Sequence, residues 1–587
     1  MYQDTYYVPK RSGTYSDVLV AYGLAALLDH LLGLGGVSKR KVLIEDGGSD
    51  YVIRLSEPIR KEWIEKAEYF APPSPYIVRG GGAAPDGLHV KDMKEERSRV
   101  STYWEQWHAL RDDKVKVSEI RNQLADLEPS DEWEVISFVG DGRMQAIGIY
   151  NRIVSQWPKT RGFFGDTLRT ILASYSGDEL LRDEWLSRWM KEAKKHGIRI
   201  KETASQLLNP HQGKGQNETK SNALRMDNIK DRIWMEEILK VIGMWHSVAP
   251  RRIEGGKDWK AYVISPLRLS LASNGRAFKD FRKVIWREGR STALKSDITS
   301  LLLFVSTWLD YVEAVGVDEL AAEMGVMSVA PENVVAGFYV AQFKKLSQQA
   351  YTMVNLSFLQ TPAWSGDLKS KEDVNELKGV IKEHLNVVRA IDEGRSDGFD
   401  LLRRYRNFVA GNRWEAFFDF VHGYSQEIMR RLGDGDRWVP TFTTKNLGRL
   451  IMASRKDLLP IVQSAGFQNI ACAIRYSTVI PQGRKARHDD NLYEVRYGLG
   501  AELKRKAAVK DEFIAALMDF VQSYSRENSQ VLESKGKQMR CNVRTGDIED
   551  IVRLVDEYGS EVVANLLVAY GYAWDSHEGS NGSDGDS

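Results

Sequence analysis

The 587-residue chain is poor in cysteine, in net charge and in long apolar runs, and each shortage removes a class of protein. Its two cysteines, Cys472 and Cys541, lie 69 residues apart. They are too few for a disulfide framework and too distant for a C-x-x-C zinc half-site, which points to a reducing, cytoplasmic location. Cys472, inside FQNIACAI, reads as a small core residue. Lys and Arg total 82 against 81 Asp and Glu, so affinity for nucleic acid must come from local patches and not from the mean field. The apolar stretch from Val18 to Leu28 is bounded by Asp17, Asp29 and His30. It falls short of the ~18 residues of a membrane span and reads as a buried helix, so no targeting or membrane segment is expected.

Signature chemistry is missing as well. There is no phosphate-cradling G-x-x-x-x-G-K-[ST], no H-E-x-x-H, no G-x-S-x-G elbow, no kinase set and no deaminase zinc signature. The glycine runs at 33–36 and 80–82 lack the flanking strand and acidic residue of a dinucleotide site and read as turns. His488-Asp489 sits in a polar connector and reads as solvated loop. A non-enzyme without cofactor or metal is expected. The alternatives are a metal-dependent nuclease with dispersed carboxylates and a helical scaffold that contacts only protein.

What is present is a folded composition, 42% hydrophobic and 28% charged, whose patterning changes along the chain. Thr14 and Ser16 precede an amphipathic run that predicts a helix over 14–32, and KVLIED and DYVIRL flank Gly47-Gly48 as a hairpin. In the segment 71–87 Pro and Gly argue against both ladder and helix, so an ordered loop or a mobile flap is expected. Further strands are expected at WEVISFVG and QAIGIY (133–150) and at AYVISP (261–266). After Ser291 the apolar spacing turns helical, including VVAGFYVAQFKKLSQQAY (334–351). The expected fold class is α+β. A mixed α/β domain with short antiparallel strands (1–290) precedes a helical connecting region (291–400), a C-terminal helical bundle (401–574) and a disordered acidic tail (575–587). AFFDFVHGYSQE (416–427) and ALMDFVQSYSRE (516–527) agree at seven of twelve positions, through either convergence of two packed helices or duplication of a helical pair.

Three segments gather cationic or base-reading side chains. The polar loop NPHQGKGQNETKSN offers Lys214 and Lys220 for phosphate, and Gln212 and Asn217 for base edges. Arg251, Arg252, Lys257 and Lys260 cluster on one turn beside Trp245 and Trp259, where guanidinium groups can take phosphate and indoles can stack. From Arg484 to Lys510 eight Lys and Arg face four Asp and Glu. Arg484, Lys485, Arg487, Arg496 and Lys504, with Arg475 just upstream, read as a basic stripe for a single strand.

Several phrases resemble the large subunits of type I CRISPR surveillance complexes, the Cascade effectors. They are GTYSDVLVAYGLAALLDHLL followed by KVLIEDGGSDYVIRL, the loop NPHQGKGQNETKSN, APRRIEGGKDWKAYVISP, FQNIACAIRYSTVIPQ, and YEVRYGLGAELKRKA leading to DIEDIVRLVDEYGSEVVANLLVAYGYAWD. The resemblance implies a subunit whose guide RNA supplies sequence specificity, while the protein senses the motif flanking the target in duplex DNA, assists strand opening and holds the displaced strand. It implies other backbone subunits and a separate helicase-nuclease as partners, and a C-terminal bundle like the complex's small subunit. Under it, the 212–220 loop and the 251–260 turn become motif or duplex contacts, and the 475–510 stripe becomes the strand track. The GGDD palm signature and HD nuclease domain of related large subunits are absent, which favours the non-catalytic type I kind.

Overall fold

The computed structural model describes the chain except for residues 143, 145, 201–204, 211–232, 256–257, 347–350, 490, 537–539 and 576–587. The protein is α+β, with small sheets in its N-terminal part and mostly helices in its C-terminal half. The described chain divides into two compact units, Met1–Ser291 with Asp318–Thr361, and Thr292–Val317 with Pro362–Ser587. Residues 291–400, read from sequence as one connecting region, are shared between the two.

The first unit is organised around ten strands among its described residues. β1 (Thr5–Pro9), β2 (Val42–Asp46), β3 (Asp50–Leu55) and β8 (Arg268–Ser270) form an antiparallel sheet in the order β1-β3-β2-β8. β6 (Val248–Arg252), β7 (Trp259–Pro266), β9 (Val335–Lys345) and β10 (Tyr351–Gln360) form a second, in the order β10-β9-β7-β6. β4 (Tyr76–Val78) and β5 (Val90–Asp92) make a short parallel pair, and β4 falls inside the 71–87 segment expected as loop, because Tyr76, Ile77 and Val78 form a short β-prone run between its Pro and Gly clusters. The β2–β3 hairpin turns where expected, with Gly48 at φ +87° and its N–H donating to Asp46 Oδ1.

Helix Tyr15–Leu34 is capped by Thr14, whose hydroxyl accepts from the Ser16 N–H. It crosses helix Trp234–Ser247 at two reciprocal glycines. A Cβ on Gly23 would lie 1.9 Å from the Leu239 carbonyl oxygen, and one on Gly243 would lie 1.8 Å from that of Leu19, so only glycine lets these backbones meet. Helices Tyr15–Leu34 and Ala293–Val315 are each long and apolar enough to cross a membrane, yet 78% and 67% of their most apolar stretches are buried in protein. Both occupy the position of core helices.

Two further expectations about local structure are corrected. Residues 133–150 are not strands but helices Trp133–Val139 and Ala146–Val154. Trp133, Val135, Ile136, Phe138 and Val139 are all buried, and a short run apolar on every side carries no period by which to separate helix from strand. Conversely, 334–351 contains β9, not a helix. Buried residues fall on both faces of β9, Val335 and Phe343 on one and Phe338 and Val340 on the other, so the alternation of a half-buried strand is lost.

The second unit is helical among its described residues. Phe420, Val421 and Tyr424 of helix Trp414–Gly433 and Phe520, Val521 and Tyr524 of helix Lys510–Lys535 are all buried. The likeness extends to hydrogen bonding: the Tyr424 hydroxyl donates to the Pro440 carbonyl at 2.6 Å and the Tyr524 hydroxyl to that of Cys541 at 2.7 Å. Each tyrosine thus ties down the connector leading to the next long helix.

Candidate nucleic-acid interface

Helix Met93–Asp112 starts at Asp92, whose carboxylate accepts from the Lys94 N–H. Arg97, Val100, Trp104 and His108 follow at spacings of three, four and four, which sets them along one face. That face borders a cavity of about 750 Å³, within the ~300–1,000 Å³ of typical ligand pockets. Helix Trp133–Val139 contributes Glu134 and Ser137, β6 contributes Arg251 and Arg252, and the end of helix Leu271–Glu288 contributes Trp286 and, just beyond it, Arg290.

The walls are fixed by packing. Trp286 meets Tyr103 at 4.9 Å and Trp104 at 5.4 Å between ring centroids, and Ile120 and Leu124 back this aromatic cluster. Arg287 forms a two-pronged ion pair with Glu128, both contacts at 2.7 Å, which anchors the helix that carries Trp286. Arg251 Nε donates to the Gly289 carbonyl at 3.3 Å, and Arg252 donates to Ser137 Oγ at 3.3 Å while its guanidinium lies 4.3 Å from the Trp259 ring centre.

Charge in this cleft is one-sided. Four arginines line it against one carboxylate, Glu134. Burial pushes the Glu134 carboxyl up to about 7, and Arg252, Arg251 and Arg290 partly offset that rise. Arg97 and Arg290 are exposed, and among the described residues neither has an ion-pair or hydrogen-bond partner. Trp104 and Trp286 are half-buried, leaving part of each indole accessible. The arrangement can hold a phosphate with guanidinium groups while a planar base rests on an indole. Another cavity of this unit, about 450 Å³, mixes Arg11, Arg182 and Lys240 with Asp17, Asp183 and Glu236 and has no such bias. Among the described residues, no group of three or more His, Cys, Asp or Glu side chains is placed to hold a metal ion.

The residues singled out from sequence fare differently. Arg251 and Arg252 reach the cleft. Lys260 pairs with Arg251 across the β6–β7 ladder but is only 5% exposed. Trp245 and Trp259 are buried and donate to the Tyr150 hydroxyl and to Asp141, so neither is a stacking platform. Gln212, Lys214, Asn217, Lys220 and Lys257 lie outside the described residues.

The basic stripe is corrected. Arg475 is 2% exposed and bonds Asp575 at 3.2 Å and the Tyr570 carbonyl at 3.1 Å, so it is part of the packing of the bundle. Arg487 pairs with Asp489 at 3.1 Å and Lys504 with Asp419 at 2.5 Å. Arg496 is half-buried over the Phe520 ring, Arg484 is half-buried, and Lys485 is exposed. A continuous row of open cations is therefore not formed. His488 ends helix Val479–Arg487 in the left-handed conformation, φ +62°, and is exposed, as its reading as loop requires.

Sequence reading passed over Arg97, Trp104, Glu134, Trp286 and Arg290. The three-four-four spacing of Arg97, Val100, Trp104 and His108 was the available signal; the other three come from segments with no motif of their own. Compared with known proteins, the chain matches no protein-family model and no curated protein.

Proposed function

We propose that the chain is a nucleic-acid-binding subunit with no catalytic role of its own, a large subunit of a type I CRISPR surveillance complex acting in the cytoplasm. The observation that carries the nucleic-acid reading is the cleft in which Arg97 and Arg290 form no ion pair among the described residues and lie beside two accessible indoles. The phrases shared with Cascade large subunits carry the family reading. In this account the guide RNA reads sequence, other backbone subunits hold the guide, and a separate helicase-nuclease cuts. The cleft takes the phosphate of a strand leaving the duplex and gives its unstacked base an indole face, so it assists opening and holds the displaced strand.

The test is fluorescence anisotropy of the full chain with labelled DNA, fully paired or carrying a short unpaired bubble. The bubble is expected to bind more tightly, and Arg97→Glu with Arg290→Glu is expected to abolish the preference while the thermal transition stays in place. Equal binding of both DNAs, or unaltered binding by the variant, rejects the cleft. Incubation of the same DNA with the chain and Mg²⁺ is expected to leave it intact. Cleavage that disappears on changing a single carboxylate would favour a nuclease instead.

A further inference from the structure

We infer that Cys472 and Cys541 are a paired oxidation site, which closes an intramolecular disulfide in the second unit when the chain meets a small-molecule disulfide oxidant. Their Sγ atoms lie 2.7 Å apart, less than an ångström beyond the ~2.05 Å of a sulfur–sulfur bond. Both side chains are half-buried, so small reagents have access. Cys472 is therefore neither fully buried nor isolated, in contrast to its reading as a plain core residue.

The approach is built into the surrounding packing. Cys472 lies on helix Ala465–Arg475, and Cys541 lies in the connector between helices Lys510–Lys535 and Thr545–Tyr558. The Cys541 carbonyl accepts from the Tyr524 hydroxyl at 2.7 Å and from Asn528 Nδ2 at 3.2 Å. The preceding Arg540 is held between the Tyr493 and Tyr524 rings, at 3.9 and 4.0 Å, and donates to the Tyr476 carbonyl at 3.4 Å. On the other side, helix Ala465–Arg475 is tied to helix Thr545–Tyr558 by Asn469, which donates to Asp547 at 3.0 Å. At Gly466 a Cβ would lie 2.5 Å from the Asp547 carbonyl oxygen, so the two helices are in backbone contact there. Neither thiol can be drawn away without breaking these contacts.

The chemistry is thiol–disulfide exchange. With oxidised glutathione, one cysteine thiolate attacks a glutathione sulfur, forms a mixed disulfide and releases one glutathione thiolate. The second cysteine thiolate then attacks the protein sulfur of that mixed disulfide and releases the other. The two cysteines give up two protons and two electrons, and the oxidised glutathione becomes two molecules of glutathione. The new bond joins residues 69 positions apart. A closed loop of that length restricts the unfolded chain enough to raise the thermal midpoint by roughly 5–15 °C.

The test treats the full chain with oxidised glutathione, then denatures it and labels remaining thiols with a maleimide-linked polymer that retards the protein on a gel. The expected result is two labels on the reduced chain, none after oxidation, and two again after dithiothreitol, with one cross-linked peptide pair containing Cys472 and Cys541 in the digest. Two labels after oxidation, stable glutathione adducts at both sites, or a disulfide-linked dimer overturns the proposal. Cys541→Ser is expected to hold a single glutathione adduct on Cys472 and to show no oxidant-dependent rise in thermal midpoint. A rise equal to that of the wild type in this variant also overturns it.

Discussion

The arginines of the N-terminal cleft and the basic residues of the 475–504 segment are alike in composition but not in state. In the C-terminal unit, Arg475, Arg487 and Lys504 each rest on a carboxylate, of Asp575, Asp489 and Asp419 respectively. In the N-terminal cleft, Arg97 and Arg290 form no ion pair among the described residues, and the one carboxylate present, Glu134, is itself driven toward its neutral form. The lesson is that a local excess of Lys and Arg in sequence measures charge supplied, not charge available to a ligand. A cation already paired on a protein surface must give up that partner before it can take a phosphate, and its field at a distance is largely cancelled.

The largest effect that separates the two regions is expected from Arg97→Glu combined with Arg290→Glu. DNA affinity should fall about a hundredfold or more, because two attractive contacts become repulsive. Trp104→Leu should follow with a loss of roughly tenfold, since one base–indole stack contributes about 1–3 kcal/mol. This loss should be independent of salt. A drop that vanishes at high ionic strength would mean that Trp104 acts by placing the neighbouring charges and not by stacking.

A third effect comes from Glu134. Its folded-state value, about 7, exceeds the ordinary 4.5, so the carboxyl takes up a proton as pH falls from 8 to 6 and the cleft becomes more cationic. Binding should tighten severalfold over that interval, and Glu134→Gln should remove the change attributable to this group. Any pH dependence that survives in Glu134→Gln has another source. The same shift has a stability consequence of defined sign. A raised folded-state value means that the native chain binds more protons than the unfolded chain between about 4.5 and 7, so this contribution is present at low pH and lost as pH rises through 7.

The smallest effects are expected in the other region. Arg487→Ala and Lys504→Ala should change DNA affinity less than twofold and the thermal midpoint by about a degree or two, as exposed ion pairs contribute ~0–1 kcal/mol. A tenfold loss in either variant would restore the strand track that their pairing with Asp489 and Asp419 argues against.

What sequence could disclose follows from the range of the interactions involved. The Thr14 cap and the Gly47-Gly48 turn depend on neighbours a few residues away and were legible, and strand β7, though buried at all eight positions, was legible from a short β-branched and aromatic run that ends at Pro266. Helix Trp133–Val139 and strand β9 were not, because burial on every side erases the period that identifies an element. The cleft was half legible. Arg251 and Arg252 announce themselves as adjacent cations, whereas Trp286 and Arg290 acquire meaning only when helix Leu271–Glu288 brings them beside Trp104. The Cys472–Cys541 approach was hidden for the same reason. A separation of 69 residues says nothing about distance until Tyr524 and Arg540 fold the connector back.

The most direct test of the cleft is the salt dependence of its binding. The dissociation constant of the full chain for one labelled DNA would be measured across a series of salt concentrations, for the wild type, for Arg97→Ala with Arg290→Ala, and for Arg487→Ala with Lys504→Ala. Each phosphate contact adds about 0.7–0.9 to the slope of log affinity against log salt. The cleft variant should therefore be shallower than wild type by about 1.4–1.8, with the other pair parallel to wild type. Parallel lines for wild type and the cleft variant, or flattening only in the Arg487 and Lys504 variant, would contradict the account.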